Sequence, residues 1–228
     1  MATLHLIRHG QASFGAANYD SLSPLGMRQC ELLGEWWLAR QWKADNLVSG
    51  PMHRHLQSLE FFQKGLREER PHQVLAGLAE FDHENVLRVY RPEFADMGEI
   101  AKFLSSSPNP RKAFQQVFTE AVERWHDGRY DNEYNEPWRM FRQRVLDALA
   151  ELRAGGKDAL VFTSGGVISV IAQAVLGISD GKSFALNAVI ANSSYSRVLF
   201  SGEEISLSSF NNTAHLDIHD ARELITYR

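Results

Sequence analysis

The chain has 228 residues, 44% of them apolar, with 13 Phe and 5 Trp, enough to bury one large core or a core carrying a substantial insertion. A net charge of −4 gives no general attraction for nucleic acid or an anionic membrane. A single cysteine, Cys30, excludes an internal disulfide and suits a reducing compartment.

The first apolar run stops at Arg8, before a secretory h-region could form. Val167 to Ile178, the most apolar long stretch, is too short to span a bilayer. A cytoplasmic protein is therefore expected. Thr3 to Ile7 reads as a short buried strand that delivers Arg8-His9-Gly10 into a turn. Gly10 is expected to clear the way for a ligand to approach the backbone. Taken alone, the triplet reads more readily as a positive surface corner, but open α/β sheets bind ligands at the carboxyl ends of strands.

Gln11 to Leu22 is loop-like. Ser23-Pro24 then starts a helix, Ser as N-cap and Pro at the first helical position. It carries Cys30, Leu33 and Trp37 inward and ends near Gln41, and Cys30 there is a core residue rather than a nucleophile. Asn46 to Ser49 is a second strand. Gly50-Pro51 opens the next helix, whose apolar stripe is read as Met52, Leu56 and Leu59, with Arg54 in its first turn. Gln73 to Leu75 is a third brief strand, leading to Leu78-Ala79-Glu80.

From His83 to Glu136 the strand–helix alternation stops. This stretch is read as a helical cap insertion (83–136) within a single domain spanning 1–228. Ser107-Pro108-Asn109-Pro110 breaks it. Phe114, Val117, Phe118, Ala121, Val122 and Trp125 then trace an amphipathic helix ending near Gly128. Pro137 starts another helix, with Phe141, Val145, Leu149 and Leu152 inward, closed by Gly155-Gly156. Ala159 to Thr163 is the most convincing buried strand, and it runs into Ser164-Gly165-Gly166 and a helix to Gly177. Tyr195–Phe200 and Ile205–Phe210 look like a closing hairpin. The alternation in both halves predicts an α/β fold with helices on both faces of a mainly parallel sheet.

Three strand-to-helix turns stand out: Arg8-His9-Gly10, Gly50 to Arg54, and Ser164-Gly165-Gly166. In a parallel sheet they can open at one edge, where helix starts offer unpaired N–H groups and positive dipole ends to an anion. Arginine forks match phosphate oxygens. A histidine beside them makes phosphoryl transfer with imidazole as nucleophile plausible chemistry, and a carboxyl group would then protonate the leaving oxygen.

Leu6-Ile7-Arg8-His9-Gly10 resembles the signature of the histidine phosphatase superfamily, in its phosphoglycerate-mutase-like branch. Leu22 to Gln29 is similar to the family's Leu-Thr-x-x-Gly-x-x-Gln segment, and Gly50 to Ser58 to its Ser-Pro-Leu-x-Arg-Ala-x-Gln-Thr segment. Leu78-Ala79-Glu80 resembles its Leu-x-Glu, and Phe162 to Ile168 stands in place of its Val-Ser-His-Gly-Gly-Val-Ile. Five motifs in family order, over 3–82 and 158–200, are a specific match.

The resemblance implies a three-layer α/β/α core. It makes His9 the phosphoryl acceptor, Arg8 and Arg54 the phosphate clamps, and Glu80 the proton donor, with Gly10, Ser164 and Gly165 completing the phosphate site. Three departures from the family pattern matter most: Ser164 replaces the second histidine, Ala12 replaces a hydroxyl residue, and Glu84 stands where a glycine follows the acid.

The expected activity is phosphomonoester hydrolysis, on a small phosphorylated substrate. The alternatives are a weak phosphate-binding module and, less favoured without the second histidine, a mutase-type phosphotransferase. No His/Asp/Glu cluster has metal-ligand spacing, and no cofactor is expected. Nothing in the sequence specifies substrate identity or oligomeric state. His53, His55, His72, His126 and His219 are assigned to the surface, and His5 is expected to pack beneath the site. His83 and His215 are the candidates to replace the missing imidazole.

Overall fold

A computed structural model describes residues 1–13 and 20–227; residues 14–19, part of the stretch expected to be loop, lie outside the described residues. In chain order the elements are β1 (Ala2–Arg8), α1 (Pro24–Ala39), β2 (Asn46–Ser49), α2 (His53–Leu66) and β3 (Gln73–Val74). Then come α3 (His83–Tyr90), α4 (Met97–Ser106), α5 (Pro110–Asp127), α6 (Trp138–Ala154), β4 (Ala159–Thr163) and α7 (Gly165–Leu176). The chain closes with α8 (Asp180–Val189), β5 (Tyr195–Ser201), β6 (Glu204–Asn212) and the short α9 (Ala214–Asp217).

The strands form one six-stranded sheet in the order β3-β2-β4-β1-β5-β6. The four strands β1 to β4 run parallel, and β5 and β6 are antiparallel to their neighbours. The mainly parallel sheet and the closing hairpin are thus as the sequence indicates. Register decides what the sheet can present. Arg8 lies opposite Thr163 and Ser49 opposite Phe162, so the residues just beyond these strands, His9, Gly50 and Ser164, emerge side by side at one edge.

The chain falls into two compact units, one of residues 1–80 and 144–228, the other of residues 81–143. In the sheet unit every residue of β4 is buried, as expected for a central strand covered on both faces. Successive side chains point to opposite faces. Leu160 and Phe162 join Ile7, Leu33, Trp37, Leu47, Leu59 and Phe62 in one core with α1 and α2. Truncating a fully buried aromatic there, such as Phe62→Ala, costs about 3–5 kcal/mol. Helix α7 is buried continuously from Gly165 to Gln173, which is why its sequence is apolar all round.

Helix α1 begins as its sequence dictates. Ser23 Oγ accepts the Gly26 N–H at 3.0 Å, satisfying one of the orphan donors of the first turn, with Pro24 at the first position. The helix ends at Ala39, two residues before the expected Gln41. Helix α2 is rotated relative to expectation. Its buried stripe is His55, Leu59, Phe62 and Leu66, spaced 4, 3 and 4; of the expected Met52, Leu56 and Leu59, only Leu59 belongs to it.

The second unit is helical. Asp82 and Asn109 cap α3 and α5 through bonds to the Asn85 and Lys112 amides, and Gly128 closes α5 at φ 76°. Its core is aromatic: Phe81 stacks on Trp125 at 4.9 Å, and Phe141 and Trp138 complete the group. The sequence-based bounds of 83–136 fall inside this unit, whose second boundary lies within α6. Helices α3, α4 and α8 have no individual cue in the sequence, because short, half-exposed helices carry weak periodicity.

Candidate active site

The site is built at the carboxyl edge of β1, β2 and β4, wholly within the sheet unit. The peptide leading out of β1 is fixed from several sides. The Arg8 and His9 amides donate to the Ser194 and Thr163 carbonyls at 3.0 and 2.8 Å. The His9 carbonyl accepts from the Ser193 amide and from Asn192 Nδ2, both at 3.2 Å.

His9 is 7% exposed. Its Nδ1 lies 2.7 Å from the Gly10 carbonyl oxygen. A carbonyl only accepts, so Nδ1 carries the proton and Nε2 is left with its lone pair. Burial, then the positive charges of Arg54 and Arg8, holds the His9 pKa well below 6.5. The ring is therefore neutral at physiological pH. A neutral imidazole with a fixed tautomer and a free Nε2 is a nucleophile.

The arginines come from two turns. Arg54, in the first turn of α2, is 5% exposed and donates from Nη1 to Asp20 Oδ1 at 2.6 Å. The other oxygen of that carboxylate accepts the His53 N–H at the start of α2, at 2.8 Å. Arg8 is half-buried and donates to the Ile190 carbonyl. Glu80 is brought to the same edge: its Oε2 accepts the Gly166 N–H at the start of α7, at 3.1 Å. The chain before it is tied down where Thr163 Oγ1 donates to the Leu78 carbonyl at 2.7 Å and Arg144 donates to the Gly77 and Ala79 carbonyls.

Two glycines serve packing. A Cβ on Gly10 would lie 2.3 Å from the Gly26 carbonyl oxygen, so the space beside Gly10 is filled by α1 and is not the ligand approach that the sequence suggests. The Gly10 amide donates to Ser58 Oγ at 3.1 Å, and Ser58 donates to the Arg54 carbonyl at 2.6 Å, coupling the His9 and Arg54 turns. A Cβ on Gly165 would lie 2.2 Å from Asn187 Oδ1 and 3.6 Å from Arg8 Nε, which places the start of α7 and the Arg8 guanidinium together. The motif glutamines brace the loop ends: Gln29 Oε1 accepts the Gln11 amide, and Gln57 Oε1 accepts the Leu22 amide.

The histidines require a correction. His55, assigned to the surface, is fully buried, and its Nε2 lies 2.6 Å from Ser164 Oγ. Its ring centroid is 5.8 Å from that of His9. His215 is also buried, but it pairs with Ser193 Oγ at 2.9 Å, and burial lowers its pKa to about 3. His83 opens α3 of the helical unit. His5 packs edge-on against Trp37 at 4.8 Å, with its pKa lowered to about 4 by burial and Arg197. His53, His72 and His219 are exposed, and His126 is half-buried beside Trp138. Ala12, buried, bridges to Leu22. Cys30 is buried with its thiol pKa pushed up to about 12 by burial, as befits a core residue. Sequence reasoning missed Asp20, Asn187 and the burial of His55. The 4, 3, 4 spacing of His55, Leu59, Phe62 and Leu66 was the available clue.

Among the described residues, no group of three or more His, Cys, Asp or Glu is placed to hold a metal ion. No helix there is long and apolar enough to cross a membrane.

Residues 4–111 and 108–213 match the family profile described as histidine phosphatase superfamily (branch 1). No curated protein matches the sequence significantly. Among solved structures, a phosphoglycerate mutase from Bacillus anthracis is similar with a TM-score of 0.64 and 14% identity, over 96% of this chain and 97% of that one. A mutant phosphoserine phosphatase from Entamoeba histolytica, in complex with phosphoserine, matches with a TM-score of 0.62 and 18% identity, over 95% and 100%. A mycobacterial glucosyl-3-phosphoglycerate phosphatase matches with a TM-score of 0.63 and 18% identity, over 92% and 99%. At these identities the likeness is one of fold.

Proposed function

The chain belongs to the histidine phosphatase superfamily (branch 1), and we propose that it is a phosphomonoesterase working through a phosphohistidine on His9. The observation that carries this reading is the bond from His9 Nδ1–H to the Gly10 carbonyl, 2.7 Å long, which fixes the tautomer that leaves Nε2 nucleophilic. Two arginines beside a buried, neutral imidazole are a poor arrangement for a structural core and a good one for a phosphoryl dianion.

In the first half-reaction Nε2 attacks phosphorus in line with the ester oxygen. The N–P bond forms as the P–O bond breaks, and Glu80, in its acid form, passes its proton to the departing alkoxide. Arg8 and Arg54 exchange the Ile190 carbonyl and the Asp20 carboxylate for phosphoryl oxygens, and the start of α7 at Gly165 and Gly166 adds its dipole. In the second half-reaction Glu80, now a carboxylate, takes a proton from the attacking water. The P–N bond breaks, inorganic phosphate leaves, and His9 returns to its neutral form. The substrate class is a small phosphorylated molecule, and the phosphatases among the structural neighbours support hydrolysis over mere phosphate binding.

The test is turnover of p-nitrophenyl phosphate and of a panel of phosphorylated metabolites by purified protein. His9→Ala should reduce turnover to background with an unchanged circular-dichroism spectrum. Equal turnover by wild type and His9→Ala would remove His9 from the role.

A further inference from the structure

Ser164 and His55 come from different elements, the end of β4 and the first turn of α2, yet both are fully buried and in hydrogen-bond contact at 2.6 Å. The direction of that bond follows from the rest of the ring. His55 Nδ1 is buried and meets no hydrogen-bond partner among the described residues. A buried N–H without an acceptor is rarer than a buried acceptor without a donor, so the proton belongs on Nε2 and is donated to Ser164 Oγ. The hydroxyl hydrogen of Ser164 is then available to another acceptor. Ser164 sits at the N-cap of α7, and its side chain makes no capping bond to the helix.

Room for this imidazole is made at residue 50. A Cβ there would lie 2.3 Å from His55 Nδ1, so the ring fits because the end of β2 carries glycine. Gly50, His55 and Ser164 are all departures from the motif segments this chain resembles, which carry Ser, Ala and His at these places. The bulk absent at 164 is supplied from 55, and the bulk absent at 50 accommodates it. Burial, then the Arg54 charge, holds the His55 pKa well below 6.5, and the ring is neutral.

We propose that His55 is a positioning residue for phosphoryl transfer: its Nε2–H orients and polarises the Ser164 hydroxyl, which donates to the transferring phosphoryl group where relatives use an imidazole. A hydroxyl that accepts one hydrogen bond becomes a stronger donor in the next, by about 10–30% per bond. The relay lies beside His9, whose ring is 5.8 Å from that of His55. The inference rests on the phosphatase reading of the same site.

The experiment compares His55→Leu, His55→Gln, Ser164→Ala, the double variants of those two His55 changes with Ser164→Ala, and the exchange His55→Ala with Ser164→His alongside its two single parents. The readouts are kcat and KM on p-nitrophenyl phosphate, Kd for orthovanadate, and melting temperature. Losing one preorganised donor costs about 10²–10³ in rate. Ser164→Ala and His55→Leu should each lower kcat by about that factor with little change in KM, and their double variant should be no slower than either. His55→Gln, which keeps a donor near the Nε2 position, should recover most of kcat, and the exchange variant should exceed both of its single parents. Full kcat in folded His55→Leu, or multiplied losses in the double variant, would overturn the proposal. If His55→Leu does not fold, His55→Gln decides: a kcat as low as that of Ser164→Ala overturns it. A wild type no faster than His9→Ala would instead overturn the phosphatase reading. Vanadate affinity then judges the relay, with equal, non-additive losses supporting it and unchanged affinity contradicting it.

Discussion

The Asp20 carboxylate bridges Arg54 and the start of α2, with Oδ1 2.6 Å from Arg54 Nη1 and Oδ2 2.8 Å from the His53 amide nitrogen. These are the kinds of donor that a phosphoryl group uses, a guanidinium and a helix-terminal N–H, and here an internal carboxylate holds them. An entering anion competes with that carboxylate and feels its charge. Asp20 is about one-third exposed, with 35% of its side-chain surface accessible, so solvent screens the effect to about 0.5–1 kcal/mol, a factor of about two to five in affinity. Asp20→Asn is therefore expected to tighten orthovanadate binding by that factor in isothermal titration. Weaker binding would mean that Asp20 serves chiefly to aim Arg54.

Much of this edge was legible in the sequence, because its cues are local. A β-branched run ending in Arg8-His9-Gly10, a Ser23-Pro24 helix start and the apolar Ala159–Thr163 run each specify their own structure through short-range rules. The parallel direction of β2, β4 and β1 follows from their alternation with helices. What was not legible depends on rotation and on distant partners. The face of α2 was misread by about one residue, since Met52 and Leu56 are as apolar as the residues that are buried, and this hid His55. The role of Gly10 was misread because the backbone of Gly26 that fills its side-chain space approaches from another helix. Asp20 gave no cue, because its partners are 33 and 34 residues away.

Stability should fall on acidification from pH 7. His9, His55, His215 and His5 all have folded-state pKa values lowered by burial, while in the unfolded chain they titrate near 6.5. The unfolded state therefore binds more protons below pH 6.5. Stability is fully present above that value and is lost as pH falls toward the folded-state values. Each histidine contributes up to about 1.4 kcal/mol per pH unit. Urea unfolding should give a lower midpoint at pH 5.5 than at pH 7.5, with His215→Leu reducing the difference. Identical midpoints would show that these rings are protonated in the folded state.

Glu80 accepts the Gly166 N–H at 3.1 Å, a bond that a glutamine carbonyl can also accept, so Glu80→Gln removes the proton and keeps that bond. The substitution should slow hydrolysis of alkyl phosphates about 10²–10⁴-fold, and that of nitrophenyl phosphate far less, because nitrophenolate leaves without protonation. Comparing kcat/KM on the two esters checks this, and equal losses would remove Glu80 as the acid.

The central claim is that phosphorus becomes bonded to His9, and rapid quenching with ³²P-labelled substrate tests it most directly. Wild type, quenched in base, should carry label that survives alkali and is released by acid, the behaviour of a phosphoramidate, and proteolysis should place it on the peptide containing His9. The His9→Ala protein should carry none. Acid-stable label, or label retained by His9→Ala, would contradict a phosphohistidine at this position.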